Sequence, residues 1–312
     1  MCSGIEAATV AWHSLGWDPV AYSEIEPFPS AVLKYRHPAV PNWGDMTQFQ
    51  EWSDADVNLL VGGTPCQSFS VAGLRKGLDD PRGNLALVYL ALADRYRPDW
   101  LVWENVPGVL SSNGGRDFGA FVGGLGQLGY GWAYRILDAQ YLGVAQRRRR
   151  VFVVGCLGGW QRAAAVLFER ESMRGTSAPR RADGQGSTAG VIKGAAIGRK
   201  PENGPQYGDA LADGSCYTLT TGEVHAVCVD QEIRHLTPRE CERLQGFPDD
   251  YTLIPCQGKP AADGPRYKAL GNSMAVPVMH WIGSRIAMVR NVIGNDDGAR
   301  PCAFDSAACQ DG

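Results

Sequence analysis

The feature that most constrains the fold is the alternation of short apolar runs with helical patterns through the first half of the chain. DPVAYSEIE is predicted to form a strand, and DVNLLVGG, DWLVWEN and RRVFVVGCL have the length of buried strands. NLALVYLALADRYR has the spacing of an amphipathic helix that ends before a proline. Strands that alternate with helices form a parallel, doubly wound sheet covered by helices. The sequence therefore predicts an α/β fold with a mostly parallel sheet.

The composition excludes several other classes of protein. The 312 residues are 44% hydrophobic and 20% charged, as in an ordinary globular protein. No apolar run approaches the roughly 18 residues that a membrane span needs, and no signal peptide opens the chain. The nine cysteines contain no CxxC pair, so neither a disulfide framework nor a metal site is predicted. We expect a cytoplasmic protein.

The charge is unevenly distributed along the chain. Residues 146–200 contain twelve Lys and Arg against three Asp and Glu, a local balance of +9, whereas the whole chain has a net charge of −3. A basic segment in an otherwise acidic protein is typical of a surface that binds a polyanion such as nucleic acid. A solvated loop with surplus arginines would give the same pattern.

The organisation changes after about residue 158, where Gly, Pro, Ser and Ala become frequent and periodicity is lost. Order returns at HLTPRECERLQGFP, where Thr237 is a suitable helix N-cap, Pro238 fits the first helical position and Glu240 completes a capping box. We predict that residues 1–157 and 268–291 together form a catalytic domain. Residues 158–267 are predicted to form a small irregular domain, and residues 292–312 a disordered tail.

Four motifs lie at predicted strand ends or in loops, where an open α/β sheet binds its ligands. They are CSGIEAA (2–8), TPCQSFS (64–70), ENVPG (104–108) and QRRRR (146–150). Each one alone has an ordinary explanation: Cys66 could be a core residue, Glu104 a capping residue and QRRRR a charged surface. Their order along the chain is more informative than any one of them.

In this order the motifs resemble those of the C5-cytosine-specific DNA methyltransferases, especially phage and prophage members. RHLTPRECERLQGFP and YKALGNSMAVPV resemble the last two motif blocks of that family, so the resemblance extends from Cys2 to about Val289. It implies a Rossmann-like fold that uses S-adenosylmethionine (SAM) and releases S-adenosylhomocysteine. It also implies that residues 158–267 recognise the target in double-stranded DNA. For a member of this family we expect a monomer in the cytoplasm of a bacterial host or a phage-infected cell.

The resemblance implies four catalytic residues. Cys66 would attack C6 of the cytosine, and Glu104 would hold N3 and the exocyclic amine. Arg148 would approach O2 of the base, and Arg150 would brace Glu104. Because C6 is inaccessible in a stacked duplex, the base must be flipped out of the helix.

The same resemblance implies the cofactor and DNA contacts. Glu24 would bind the ribose hydroxyls, Ile25 would pack on adenine, and Asp45 would accept from the adenine amino group. The complete set of cofactor residues is Ser3, Gly4, Ile5, Glu24, Ile25, Asp45, Met46, Pro65, Asn272 and Ser273. The expected DNA contacts are Ser68, Arg75, Gln146, Arg147 and Thr218.

The chain departs from the family pattern in two places. The family has an apolar strand before the first motif, whereas this sequence opens inside that motif, so we expect the first strand to be missing and both stability and cofactor binding to be low. Glu6 stands where the family often has glycine. Two alternatives remain open: a tRNA cytosine methyltransferase with the same fold, and an inactive DNA-binding remnant.

Overall fold

A computed structural model describes residues 1–64, 85–168, 190–194, 210–211, 215–229, 232–256 and 258–294. Four predicted site residues, Pro65, Cys66, Ser68 and Arg75, lie outside these ranges, as do residues 295–312 of the predicted tail.

The described elements follow the predicted alternation. The helices are α1 (Ala7–Trp12), α2 (Pro27–Arg36), α3 (Leu85–Tyr96), α4 (Arg116–Gln127), α5 (Trp160–Leu167), α6 (Pro238–Gln245), α7 (Asp263–Asn272) and α8 (Val276–Gly294). The strands are β1 (Leu59–Gly62), β2 (Trp100–Asn105), β3 (Tyr130–Asp138), β4 (Arg149–Leu157), β5 (Gly190–Ile192), β6 (Ala210–Leu211), β7 (Ala226–Val229), β8 (Glu232–His235), β9 (Pro255–Cys256) and β10 (Lys259–Pro260).

The central sheet has the strand order β1-β2-β4-β3. Strand β1 runs parallel to β2, as predicted, whereas β4 is antiparallel to both β2 and β3. Strands β1, β2 and β3 therefore run in one direction and β4 in the opposite one, so the described sheet is mostly parallel in strand direction, as predicted, with one reversed strand. The short connection between β3 and β4 accounts for this reversal, because a parallel pair would need a longer crossover.

Helices cover both faces of this sheet. On one face, α1, α5 and α8 contribute to a single apolar cluster, and the indole Nε1 of Trp12 donates to the carbonyl oxygen of Met279 at 2.7 Å. On the other face, α3 and α4 pack against the strands, with the rings of Trp103 and Phe121 stacked 4.2 Å apart. This two-sided arrangement confirms the predicted α/β class and leaves the strand ends free to carry a site.

The predicted strand in DPVAYSEIE forms only a single bridge, between Tyr22 and Asn42. The carboxylate of Glu24 accepts hydrogen bonds from the backbone N–H groups of Ile25 and Glu26, and a side chain that binds nearby backbone in this way competes with a strand ladder. The run therefore turns at its end.

The edge of β1 opposite β2 faces a cavity of about 390 Å³, and no described strand pairs with it there. The terminal ammonium group of Met1 donates to the carbonyl oxygen of Val61 at 2.8 Å at the end of this edge. Tyr22 and Trp43 line the far side of the cavity.

A second, smaller sheet with the order β6-β5-β7-β8 lies within the predicted recognition region. Helix α6 follows it and begins at the predicted capping box, since Thr237 and Glu240 bond each other's backbone N–H groups. Helix α5 packs on β3, β4 and α8. The domain boundaries stay a prediction. None of the described helices combines the length and hydropathy required to cross a bilayer.

Candidate active site

The chemistry of the site centres on Glu104 at the end of β2. Strand β4 pairs with β2 here, with Phe152 opposite Glu104, so the start of β4 brings its arginines to the carboxyl group. Nε of Arg150 lies 3.2 Å from Oε1 of Glu104. Arg148 is 3% exposed, and its Nη1 donates to the carbonyl oxygen of Leu219 at 3.3 Å.

Burial changes the pKa values of all three groups. It raises the pKa of Glu104, and the charges of Arg148 and Arg150 oppose that rise. The pKa of Arg148 is lowered to about 10, mainly by burial and also by the charge of Arg150, against the attraction of Glu104. The pKa of Arg150 is also lowered by burial, against the attraction of Glu104. Titratable groups perturbed in this way at a strand end are typical of an active site.

One donor of this cluster has no partner among the described residues. Nε of Arg148 is buried and makes no hydrogen bond with them. Buried N–H groups are nearly always paired in folded proteins, so an unpaired one beside a carboxyl group indicates a place where a ligand acceptor binds.

The chain that leads towards Cys66 is anchored to this cluster. Nδ2 of Asn105 donates to the carbonyl oxygen of Thr64 at 2.9 Å, and Nε1 of Trp103 donates to Oγ1 of the same residue at 2.9 Å. The sequence analysis used only Glu104 from this strand and missed both anchors. A buried asparagine directly after the predicted acid was the signal that could have identified one of them.

Gly63 allows the chain after β1 to lie close to Glu104 near the end of β2. A Cβ atom at this position would lie 2.9 Å from Oε2 of Glu104 and 3.3 Å from Cε of Met274. Only glycine leaves room for the carboxyl group at this distance. The glycines of the GGTPC stretch thus have a steric role at the site.

Glu24, one of the predicted cofactor residues, lies where the chain turns after Tyr22. Its carboxylate accepts from the backbone N–H of Gly4 at 2.7 Å and from those of Ile25 and Glu26 at 2.9 and 2.8 Å. Asn42, which the sequence analysis missed, fixes the backbone of Glu24 by accepting from its N–H and donating to its carbonyl oxygen. The side chain of Ile25 is 68% exposed, so an apolar surface is available beside this carboxylate.

A cavity of about 50 Å³ brings several of the predicted motifs together. Gly4 has a φ of +55°, and a Cβ there would meet no atom within 4 Å, so the turn opens onto free space. The cavity is lined by the first motif, by the ends of β1 and β2, and by Asn272 and Ser273 of the YKALGNSMAVPV motif. The other lining residues include Ser3, Gly4, Gly62, Gly63 and Glu104.

Five of the described residues that were predicted to bind the cofactor do not line this cavity: Glu24 and Ile25, discussed above, and Ile5, Asp45 and Met46. Ile5 is fully buried in the core and Met46 is buried in the second apolar cluster. Oδ1 of Asp45 accepts from the backbone N–H of Thr47 at 2.9 Å and caps the short 3-10 helix Met46–Glu51. Contact of their side chains with a cofactor stays a prediction.

The three described residues that were predicted to contact DNA differ in their exposure to solvent. Gln146 has no exposed surface: its Nε2 donates to the carbonyl oxygen of Leu244 at 2.9 Å, and its Oε1 accepts from the N–H of Leu219 at 3.1 Å. Its amide thus joins the segment before β4 to α6 and to residues 215–219, and the side chain is buried; its contact with DNA stays a prediction. Arg147 is exposed, and the hydroxyl of Thr218 donates to the carbonyl oxygen of Arg147.

The residues that the structure describes contain no group of three or more His, Cys, Asp and Glu side chains placed to hold a metal ion.

Comparison with known proteins gives concordant matches. The family described as C-5 cytosine-specific DNA methylase matches residues 1–174 and 163–288. A protein of Escherichia phage P1 named DNA N-6-adenine-methyltransferase is 35% identical over 96% of this chain, which spans 62% of that protein's length. Type II methyltransferase M.SsoII of Shigella sonnei is 30% identical, over 91% of this chain and 78% of its own.

Solved structures agree on the fold. The S. pombe Dnmt2 methyltransferase superposes with a TM-score of 0.65 at 18% identity, covering 93% of this chain and 97% of its own. A putative DNA modification methyltransferase encoded within an E. coli prophage superposes with a TM-score of 0.62 at 17% identity, over the same shares of the two chains.

Proposed function

The chain belongs to the C-5 cytosine-specific DNA methylase family, and on that premise we propose that it methylates C5 of a cytosine flipped out of duplex DNA. The observation that carries this proposal is the buried cluster of Glu104, Arg148 and Arg150. It lies beside Thr64, from which the chain continues directly into the Cys66 motif. This cluster offers a hydrogen-bonding carboxyl group and an unpaired guanidinium donor to a single base.

The proposed reaction begins at Cys66. C5 of cytosine is a poor nucleophile, and attack of the Cys66 thiolate on C6 forms an S–C6 bond and moves electron density towards N3 and C5. C5 would then bond to the methyl group that bound SAM supplies, while the S–CH3 bond breaks and its electron pair stays on the sulfur of S-adenosylhomocysteine. Loss of the C5 proton to a base, with the electron pair of that C–H bond restoring the ring double bond, breaks the S–C6 bond and regenerates the thiolate.

Glu104 would control the proton at N3. Because burial raises its pKa, the carboxyl group holds a proton at a higher pH than a carboxyl group in water. That proton would neutralise the charge that develops on N3 as the thiolate attacks. Nε of Arg148 would donate to O2 of the base, and Arg150, 3.2 Å from Oε1, would keep the carboxyl group oriented.

We infer that SAM would bind along the residues around Gly4 and Glu24, whose donors and acceptors suit its ribose and adenine. When bound, SAM supplies the electrophilic methyl group. The open turn at Gly4 gives room beside the end of β1, the Glu24 carboxylate would accept hydrogen bonds from ribose hydroxyls, and the exposed side chain of Ile25 would cover an adenine face. Asn272 and Ser273 would bound the opposite side of the pocket.

A second candidate function is methylation of the exocyclic N6 of adenine, which the name of the phage P1 relative suggests. Adenine N6 carries its own attacking nitrogen, so that reaction needs neither a thiolate adduct nor a proton delivered to a ring nitrogen. The Glu104 cluster lies beside Thr64, from which the chain continues into the Cys66 motif, and this supports the cytosine reaction instead.

Nucleoside mass spectrometry distinguishes the candidates. The wild-type chain and Cys66→Ser are incubated with SAM and unmethylated genomic duplex DNA, and in parallel with tRNA. We expect 5-methylcytosine in DNA from the wild type alone. N6-methyladenine formed by both proteins would establish the second candidate, 5-methylcytosine in tRNA alone would establish the RNA alternative, and no methylated nucleoside from the folded wild type would refute the proposal.

A further inference from the structure

The four arginines of QRRRR divide into two pairs with different surroundings. Arg148 is buried and Arg150 is partly buried against Glu104, whereas Arg147 and Arg149 are exposed. This alternation follows from extended backbone, in which successive side chains point to opposite sides. The proposed base chemistry uses only the inward pair, so the outward pair needs a separate explanation.

The outward pair borders an open cleft of about 450 Å³, which we term the arginine cleft. It is lined by Asp138, Gln140, Tyr141, Arg147, Arg149 and Thr218. Two guanidinium groups and one carboxylate leave it with a net positive charge. The side chain of Arg149 forms no ion pair with the described residues.

The single carboxylate in the arginine cleft is already engaged. Oδ2 of Asp138 accepts from Nε2 of Gln140 at 2.8 Å, and its Oδ1 accepts from the N–H of Gln140 at 3.3 Å. Asp138 thus holds the short 3-10 helix Ala139–Tyr141 in place. The ring of Tyr141, at the end of that helix, is 41% exposed at the cleft.

The walls of the arginine cleft are fixed by backbone contacts. The N–H of Arg147 donates to the carbonyl oxygen of Cys216 at 2.8 Å, and the hydroxyl of Thr218 donates to the carbonyl oxygen of Arg147. Two elements that are distant in sequence therefore form one rigid concave surface. Such a surface is prepared for a ligand at little ordering cost.

The arginine cleft lies at the same end of the central sheet as the cluster of Glu104, Arg148 and Arg150. Arg149 is the first residue of β4 and pairs with Asp138 at the end of β3, at the same end of the sheet as Glu104, the penultimate residue of β2. A strand of DNA whose base reaches Glu104 would therefore continue past the outward arginines.

We propose that the arginine cleft binds a backbone phosphate of the DNA strand next to the target nucleotide, with the Tyr141 ring packed on the adjoining sugar or base. Arginine guanidinium groups bind phosphate oxygens through charge-assisted, often bidentate hydrogen bonds, and an exposed aromatic ring supplies a stacking surface. The proposal rests on the proposed function, because it takes the substrate to be DNA.

The salt dependence of DNA binding tests the proposal. The affinity of the wild type, Arg149→Gln and Arg149→Lys for a fluorescein-labelled, mixed-sequence 40-bp duplex is measured by fluorescence anisotropy over a series of KCl concentrations. Removing one phosphate contact should lower the slope of log K against log salt by about 0.9. We expect this loss in Arg149→Gln and recovery of the slope in Arg149→Lys, which keeps the charge.

Arg97→Gln is the matched control. Arg97 is exposed and follows α3 at the opposite edge of the sheet, where it contacts the carbonyl oxygen of Leu128. Its replacement should leave the slope unchanged. An Arg149→Gln slope and affinity equal to those of the wild type would overturn the proposal, as would a wild type that binds tRNA but not the duplex.

The same proteins distinguish this proposal from the proposed function. If the wild type forms 5-methylcytosine but its DNA affinity does not depend on Arg149, only the proposal that the arginine cleft binds phosphate is contradicted. Wild type whose DNA binding depends on Arg149 but which forms no 5-methylcytosine contradicts only the methylation chemistry.

Discussion

Glu104 carries a carboxyl group whose pKa is raised by burial, and the proposed chemistry uses its protonated form. Glu104→Gln keeps the shape and the hydrogen bonds but cannot release a proton to N3. We expect the methylation rate to fall by about 10²–10⁴-fold, the usual contribution of a general acid. Tritiated methyl transfer to DNA measures the rate. Glu51→Gln, at an exposed position, is the control and should retain the wild-type rate.

The raised pKa of Glu104 also predicts how the stability of the folded chain depends on pH. The carboxyl group ionises at its ordinary pKa in the unfolded chain and at a higher pKa in the folded chain, so between the two values the folded chain retains a proton that the unfolded chain has lost. The free energy of unfolding should therefore fall as the pH rises through this window. Urea unfolding at several pH values should show this fall in the wild type and not in Glu104→Gln; identical pH dependence in both proteins would contradict the assigned shift.

At the scale of elements, the end of β1 must pass very close to the end of β2. In Gly63→Ala the added Cβ would lie 2.9 Å from Oε2 of Glu104, so the carboxyl group has to move away from Arg150. Because a displacement of about 1 Å at a catalytic group costs about a hundredfold in rate, we expect a loss of this order in methyl transfer.

Gly119→Ala provides the matched control for that substitution. Gly119 is exposed within α4, and a Cβ there meets no atom within 4 Å. Alanine should stabilise the helix by about 0.5–1 kcal/mol and leave methylation intact. Equal rates in Gly63→Ala and Gly119→Ala would show that the approach of the two strands does not position Glu104.

The elements also show what the sequence could predict. Apolar runs and capping residues are local signals, and they predicted β1, β2, β4 and the start of α6 at Thr237. The direction of β4 depends on the length of a connection, and the predicted strand around Tyr22 was replaced by a turn that Glu24 stabilises. Neither effect is contained in the hydrophobic pattern.

Long-range contacts explain what was missed at the site. The amide of Gln146 is satisfied by Leu219 and Leu244, far along the chain, so its burial could not be predicted from the charged motif around it. The sequence predicted the meeting of Glu104 with Arg148 and Arg150 only through the family resemblance. The division of the arginines into inward and outward pairs followed from the strand itself.

At the scale of the whole molecule, segments from both ends of the chain converge on one edge of the sheet. Residues 1–4, the end of β1, Glu104 and Asn272–Ser273 surround one cavity, and residues 215–219 hold Arg148 from the other side. Assembly of the site therefore requires the complete fold. The central claim is that this assembled site acts through a covalent bond between Cys66 and C6 of cytosine.

The most direct measurement uses duplex DNA that carries 5-fluorocytosine at the position found to be methylated. In this base fluorine replaces the C5 hydrogen, so there is no C5 proton for a base to remove. The final elimination therefore stops, and the S–C6 bond persists. With SAM present, mass spectrometry should find a protein–DNA adduct on the peptide that contains Cys66, and Cys66→Ser should form none. A wild-type chain that produces 5-methylcytosine in ordinary DNA but forms no adduct with this duplex would contradict the account.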